Sequence, residues 1–129
     1  MVITINGNDY GVKFGIAFVR KLDEKYFVEN KSGTRFGAGL ETKVPMLLTN
    51  DVLTLSEFLY EGTCTEEKRP TQKEVDQFVD GAEDIEGLFD EVVDELKKHN
   101  ATKLKMKELW EAMEKQQEVA AKQRRIAKK

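Results

Sequence analysis

The strongest constraint on this chain is the apolar spacing between residues 85 and 96. Ile85, Leu88, Phe89, Val92, Val93 and Leu96 stand at offsets 0, 3, 4, 7, 8 and 11. That is the period of an amphipathic helix and not the alternation of a strand. Burying all six side chains would contribute about 9–18 kcal/mol before chain entropy is charged. The segment therefore has to lie in a core, and the rest of the 129 residues must supply its cover. A chain of this length suits one domain with one core.

The other elements follow from shorter signals. Val2-Ile3-Thr4-Ile5, then Asn6-Gly7, then Asp9 to Phe14 predicts a β-hairpin, because both turn residues tolerate the positive φ of a type I′ turn. Two strands alone are marginal in water, so the hairpin must pack on helices. Ile16 to Tyr26 carries Phe18, Val19, Leu22 and Tyr26 at helical spacing. Asn30 to Gly33 reads as a turn, and Phe36-Gly37-Ala38-Gly39 as a loose stretch before the next element. Leu40, Val44, Leu47 and Leu48 share a helical side, with Pro45 expected in a first turn or at a kink. Thr54-Leu55-Ser56-Glu57 and Thr71-Gln72-Lys73-Glu74 both have the capping-box form, opening helices that bury Leu55, Phe58 and Leu59, and Val75, Phe78 and Val79. Thr102 is placed to cap a final helix with Met106, Leu109, Trp110 and Met113 along one stripe. That stripe fades at Gln116, Ala120, Gln123 and Ala127, so the last fifteen or so residues should project, frayed or ordered by a partner.

These elements define an α+β, mainly α fold. An N-terminal β-hairpin (1–14) packs on a bundle of about five to six helices (16–98), with a projecting C-terminal helix. Residues 1–100 form the globular body of a single domain, and 101–129 a basic amphipathic helix, ordered only in part.

Charge divides along the same boundaries. The formal net charge is −3, but residues 1–64 carry −1, residues 65–100 carry −7 and residues 101–129 carry +5. Opposite ends of that kind point to an interaction tail or to self-association. No run of about 18 apolar residues exists, so no membrane span is expected. The first ten residues lack the basic and apolar regions of a signal peptide, and Cys64 is the single cysteine. Both features point to a reducing cytoplasm.

Catalytic signatures are missing. One cysteine and one histidine, Cys64 and His99, would have to meet in space to form a nucleophile pair, and nothing local brings them together. The acidic run from Glu83 to Glu95 fits no calcium loop, and its carboxylates fall mostly on a solvated helix face. The glycines form neither a dinucleotide fingerprint nor a phosphate loop. No cofactor and no metal are expected. The basic end (Lys103, Lys105, Lys107, Lys115, Lys122, Arg124, Arg125, Lys128 and Lys129) suits phosphates, but Glu108, Glu111, Glu114 and Glu118 interleave with it and no aromatic lies in the last eight residues. A small nucleic-acid-associated regulatory protein working through residues 103–129 is the alternative function.

Several segments carry a family resemblance. Asn6-Gly7, Tyr10 to Gly15, Phe18 to Asp23, Phe36-Gly37-Ala38-Gly39-Leu40-Glu41, Arg69-Pro70-Thr71, Ile85 to Leu96 and Asn100 to Lys103 resemble the tail assembly chaperones of long-tailed phages and prophages of Gram-positive bacteria. The resemblance spans nearly the whole chain. It implies a non-enzymatic protein of the bacterial host cytoplasm, not retained in the mature virion, that binds the tape measure protein, keeps it soluble and assists tail tube polymerisation. It also implies self-association and a longer frameshifted product that reaches the tail tube protein. Lys128-Lys129 is compatible with an A-rich slippery site. The residues expected to meet partners are Met106, Leu109, Trp110 and Met113, with Arg124 and Arg125 supplying charge.

Overall fold

The N-terminal strands β1 (Val2–Ile5) and β2 (Asn8–Gly11) pair antiparallel with Ile5 opposite Asn8. Asn6 and Gly7 take φ of 52° and 79°, the left-handed values a type I′ turn requires. Ile3 and Ile5 point inward, and Val12 and Phe14 continue that buried line. The Lys13 N–H donates to the Gly62 carbonyl at 2.8 Å, which fixes the hairpin against the helical body. The computed structural model describes residues 1–127.

After the hairpin the order is α1 (Ile16–Lys25), β3 (Phe27–Glu29), β4 (Arg35–Gly37), α2 (Gly39–Leu48), α3 (Val52–Glu61), α4 (Gln72–Asp80), α5 (Ile85–Lys98) and α6 (Lys103–Ala127). The fold is thus α+β and mainly α, with a C-terminal helix. The core centres on a chain of edge-to-face rings, Phe14 on Phe18 at 4.9 Å and Phe18 on Phe58 at 5.1 Å. Around them lie Leu22, Val44, Leu47, Leu55, Leu59, Val92 and Leu96, all essentially excluded from water. In α5, Leu88, Phe89, Val92 and Leu96 are buried and Val93 is half-buried, whereas Ile85, in the first turn, is 38% exposed.

Three local features differ, wholly or in part, from the sequence reading. Residues 27–37 form a second antiparallel hairpin, with Val28 opposite Phe36, where a turn and a loose stretch were expected. Asn30 organises its turn, its side-chain oxygen accepting from the N–H groups of Ser32 and Thr34. Pro45 sits well inside α2, which excludes the first turn of its two expected placements, a first turn or a kink. The box expected at Thr54 does not form. Instead α3 begins three residues earlier after Asp51, and the Thr54 hydroxyl donates to the Asp51 carboxylate at 2.5 Å, holding that carboxyl below its usual range. At Thr71 the expected box is complete, with Thr71 and Glu74 each bonding the other's backbone N–H.

The glycine-rich stretch before α2 has a packing role. Asp23 of α1 accepts the Gly39 N–H at 2.9 Å and so caps α2 from outside it. A Cβ on Gly37 would collide with Asp23, and one on Gly39 would collide with Leu22 and Asp23. Small residues are therefore needed where α2 enters against α1.

Candidate partner-binding surface

The surface around α6 is built from its first turn. Thr102 is fully buried, and its hydroxyl donates to the Leu96 carbonyl at 2.5 Å, where α5 is ending. The Thr102 carbonyl in turn accepts the Met106 N–H. One residue thus joins the end of α5 to the start of α6, which packs on α2 and α5.

The predicted stripe divides according to depth. Met106 is 1% exposed and belongs to the core, so it has no free surface for a partner. Leu109 is half-buried against the core and Met113 is also half-buried. Trp110, at 41% exposure, stands at the rim. Its indole N–H donates to Glu114 at 2.7 Å, and the Lys97 ammonium lies 4.5 Å above its ring. From Glu114 to Ile126 every residue is exposed, including Arg124 and Arg125. With a rise of about 1.5 Å per residue, the arginine pair lies about 21 Å along the helix from Trp110. The structure therefore does not gather the six residues into one site. Lys128 and Lys129 lie outside the described residues.

Two cavities meet at Trp110 and Lys97. One, of about 510 Å³, is lined by Lys103, Leu104, Met106, Lys107, Glu111 and Glu114 together with that pair. The other, of about 430 Å³, runs past Leu47, Leu48, Phe89 and Val93. A larger depression of about 710 Å³ lies between the β1–β2 turn and the α4–α5 junction, with Ile5, Phe78 and Leu88 among its apolar lining and Glu83, Asp84 and Glu91 among its acids.

A charged network that the sequence did not suggest ties α1, α2 and α3 together. Tyr26 donates to Glu57 at 2.7 Å, and Lys25 and Lys43 lie 3.3 and 3.6 Å from the same carboxylate. Glu61, nearly buried, lies 3.6 Å from Lys25 and 3.3 Å from Arg69. Burial first, then the bond to Glu57 and its charge, push the Tyr26 phenol up to about 12. Burial likewise raises the Cys64 thiol, the opposite of what an activated nucleophile needs. His99 closes α5, with Nδ1 2.7 Å from the Glu95 carbonyl and its ring edge-on to Phe14 at 6.3 Å. Among the described residues no helix is long and apolar enough to cross a membrane, and no three His, Cys, Asp or Glu side chains gather as a metal site.

This geometry defines a small α+β, mainly α protein with a long C-terminal helix. The family model for phage tail assembly chaperone protein (TAC) matches residues 2–111. The chain belongs to that family, and a role in phage tail assembly follows. Met106, Leu109 and Trp110 fall within the matched stretch, and Met113, Arg124 and Arg125 beyond it. No curated protein and no solved structure matches the chain.

Proposed function

We propose that this protein is a non-enzymatic chaperone that binds the tape measure protein, keeps it soluble and assists tail tube polymerisation around it. The observation that carries this reading is Trp110, a large aromatic left at the rim where a mainly apolar cavity meets a more polar one. Half-exposed tryptophans of this kind serve as anchors for partner helices. Leu109 and Met113 back the anchor, Met106 holds the helix that presents it, and Arg124 and Arg125 steer approach from the exposed end. The protein works in the cytoplasm of the bacterial host and leaves before the virion matures. A longer frameshifted form would add the contact to the tail tube protein. Self-association would set the basic end of one copy against the acidic 65–100 region of another.

The test is co-expression with a tape measure protein from the same phage or prophage. Wild-type chain should keep that protein in the soluble fraction and co-purify with it. Trp110→Ala should lose both without loss of helicity, because the side chain is not part of the core. Unchanged solubility and co-purification in Trp110→Ala would refute the assignment.

A further inference from the structure

The cavity beside Trp110 has a charge order along its length. Lys103 and Lys107 line the end nearest the start of α6, Glu111 and Glu114 line the other end, and Lys97 reaches in from α5 over Trp110. Lys103, Lys107, Trp110, Glu111 and Glu114 recur at offsets 0, 4, 7, 8 and 11, so they share one face of the helix. Leu104, 69% exposed, sits among the cations, and Trp110 lies between them and the carboxylates. The surface is an apolar strip with cations towards one end and carboxylates at the other. The two groups are about 11 Å apart, roughly two helical turns.

We infer that this groove takes an amphipathic partner helix whose apolar stripe is flanked by acidic residues at one end and basic residues about two turns away. The inference rests on the partner-binding role proposed for Trp110 and adds the chemistry of what binds there. A uniformly acidic or basic helix would place like charges against one end of the groove, and like-charge contacts are what exclude wrong partners. A helix with the two signs separated matches both ends in one register. Lys97 already lies over the Trp110 ring, so an incoming carboxylate meets that ammonium next to the aromatic anchor.

Trp110 is the only tryptophan in the chain, so its fluorescence reports this groove directly. The probes are two 18-residue helical peptides of identical composition, without Trp or Tyr, sharing one leucine stripe. One has its glutamates and lysines in separate halves, and in the other they alternate. The full chain should bind the separated-charge peptide about fivefold or more tighter, and the preference should shrink at about 1 M salt. Lys103→Glu with Lys107→Glu should abolish the preference. If that pair disturbs folding, Lys103→Gln with Lys107→Gln should weaken the preference in the same direction. Equal affinity for both peptides, no binding of either, or peptide binding that only dissociates a homodimer in sedimentation would overturn the inference. Should Trp110→Ala release the tape measure protein while Lys103→Glu/Lys107→Glu retains it, the charge order falls and the chaperone assignment stands.

Discussion

Replacing Gly39 by alanine tests whether the glycine-rich entry to α2 is a packing device or only a loose connection. Gly39 opens α2, where helix propensity alone predicts a gain of up to about 1 kcal/mol for alanine. Its φ is not positive, so no backbone strain opposes the change. The contact does. A Cβ at this position would lie 2.5 Å from the Leu22 Cβ and 3.0 Å from the Leu22 carbonyl carbon. Leu22 is completely buried, so it has nowhere to move, and comfortable carbon contacts need about 3.5–4.0 Å. Shifting α2 against α1 by the missing ångström should cost about 1–3 kcal/mol, which outweighs the propensity gain. The net expectation is a loss of about 1–2 kcal/mol, or a fall of about 0.5–1 M in the urea midpoint. Urea unfolding followed by far-ultraviolet circular dichroism measures it. Asp23→Ala, which removes the acceptor of the Gly39 N–H, should cost about 1 kcal/mol by itself. In the double variant the Leu22 clash remains, so Gly39→Ala should still destabilise the Asp23→Ala background. A midpoint for Gly39→Ala at or above that of the wild type would refute the steric argument. No further loss in the double variant would show that the damage runs through the Asp23 bond alone.

Three further outcomes follow from named contacts. The Tyr26 phenol is raised from 10.0 to about 12, so the stability it contributes is complete below pH 10 and is lost as pH rises through 12. Absorbance titration near 295 nm should show one late-ionising tyrosine that disappears in Tyr26→Phe. Thr102→Val leaves the Leu96 carbonyl without its buried donor and should cost about 1–2 kcal/mol by thermal unfolding, whereas a neutral result would deny that this bond joins α5 to α6. Ending the chain after Lys115 removes a stretch whose side chains from 116 to 126 are all exposed, so stability should change by less than about 0.5 kcal/mol. The same truncation should weaken retention of the tape measure protein, since it takes away Arg124 and Arg125.

What could be read from the sequence depended on the range of the interaction involved. The Asn6-Gly7 turn and the Thr71–Glu74 box are closed within a few residues, and both have the expected geometry. The second hairpin also had a local signal, Asn30 to Gly33 between Phe27-Val28 and Arg35-Phe36. Its strands of three residues are too short for alternation to stand out. At Thr54 the S/T-x-x-E pattern misled because Asp51, one turn earlier, competes for the same helix start. Glu57 meanwhile has partners on other elements, Tyr26, Lys25 and Lys43. No periodicity records such long-range pairings. The same limit explains why the ion network around Glu57 and Glu61 was invisible while the stripe of α5 was plain.

The C-terminal helix shows why an amphipathic stripe cannot by itself distinguish packing from binding. Both uses need the spacing of Met106, Leu109, Trp110 and Met113, and in the proposed role one stripe serves both. Met106 is drawn into the core, Leu109 and Met113 lie half in, and Trp110 is left at the rim. Beyond them the exposed residues 114–126 would form only a marginal helix if isolated, because a segment that short seldom offsets the cost of nucleation. In this chain the nucleus is already supplied by the anchored turns of 103–113, and the outer turns extend from it. Val119 and Ile126, two turns apart and 54% and 73% exposed, are then held on one face with no cover among the described residues. A partner meeting this helix would find much of the ordering already done, which lowers the entropic cost of association. In the proposed role, burying Met106 is therefore part of how the helix would offer its outer half to a partner.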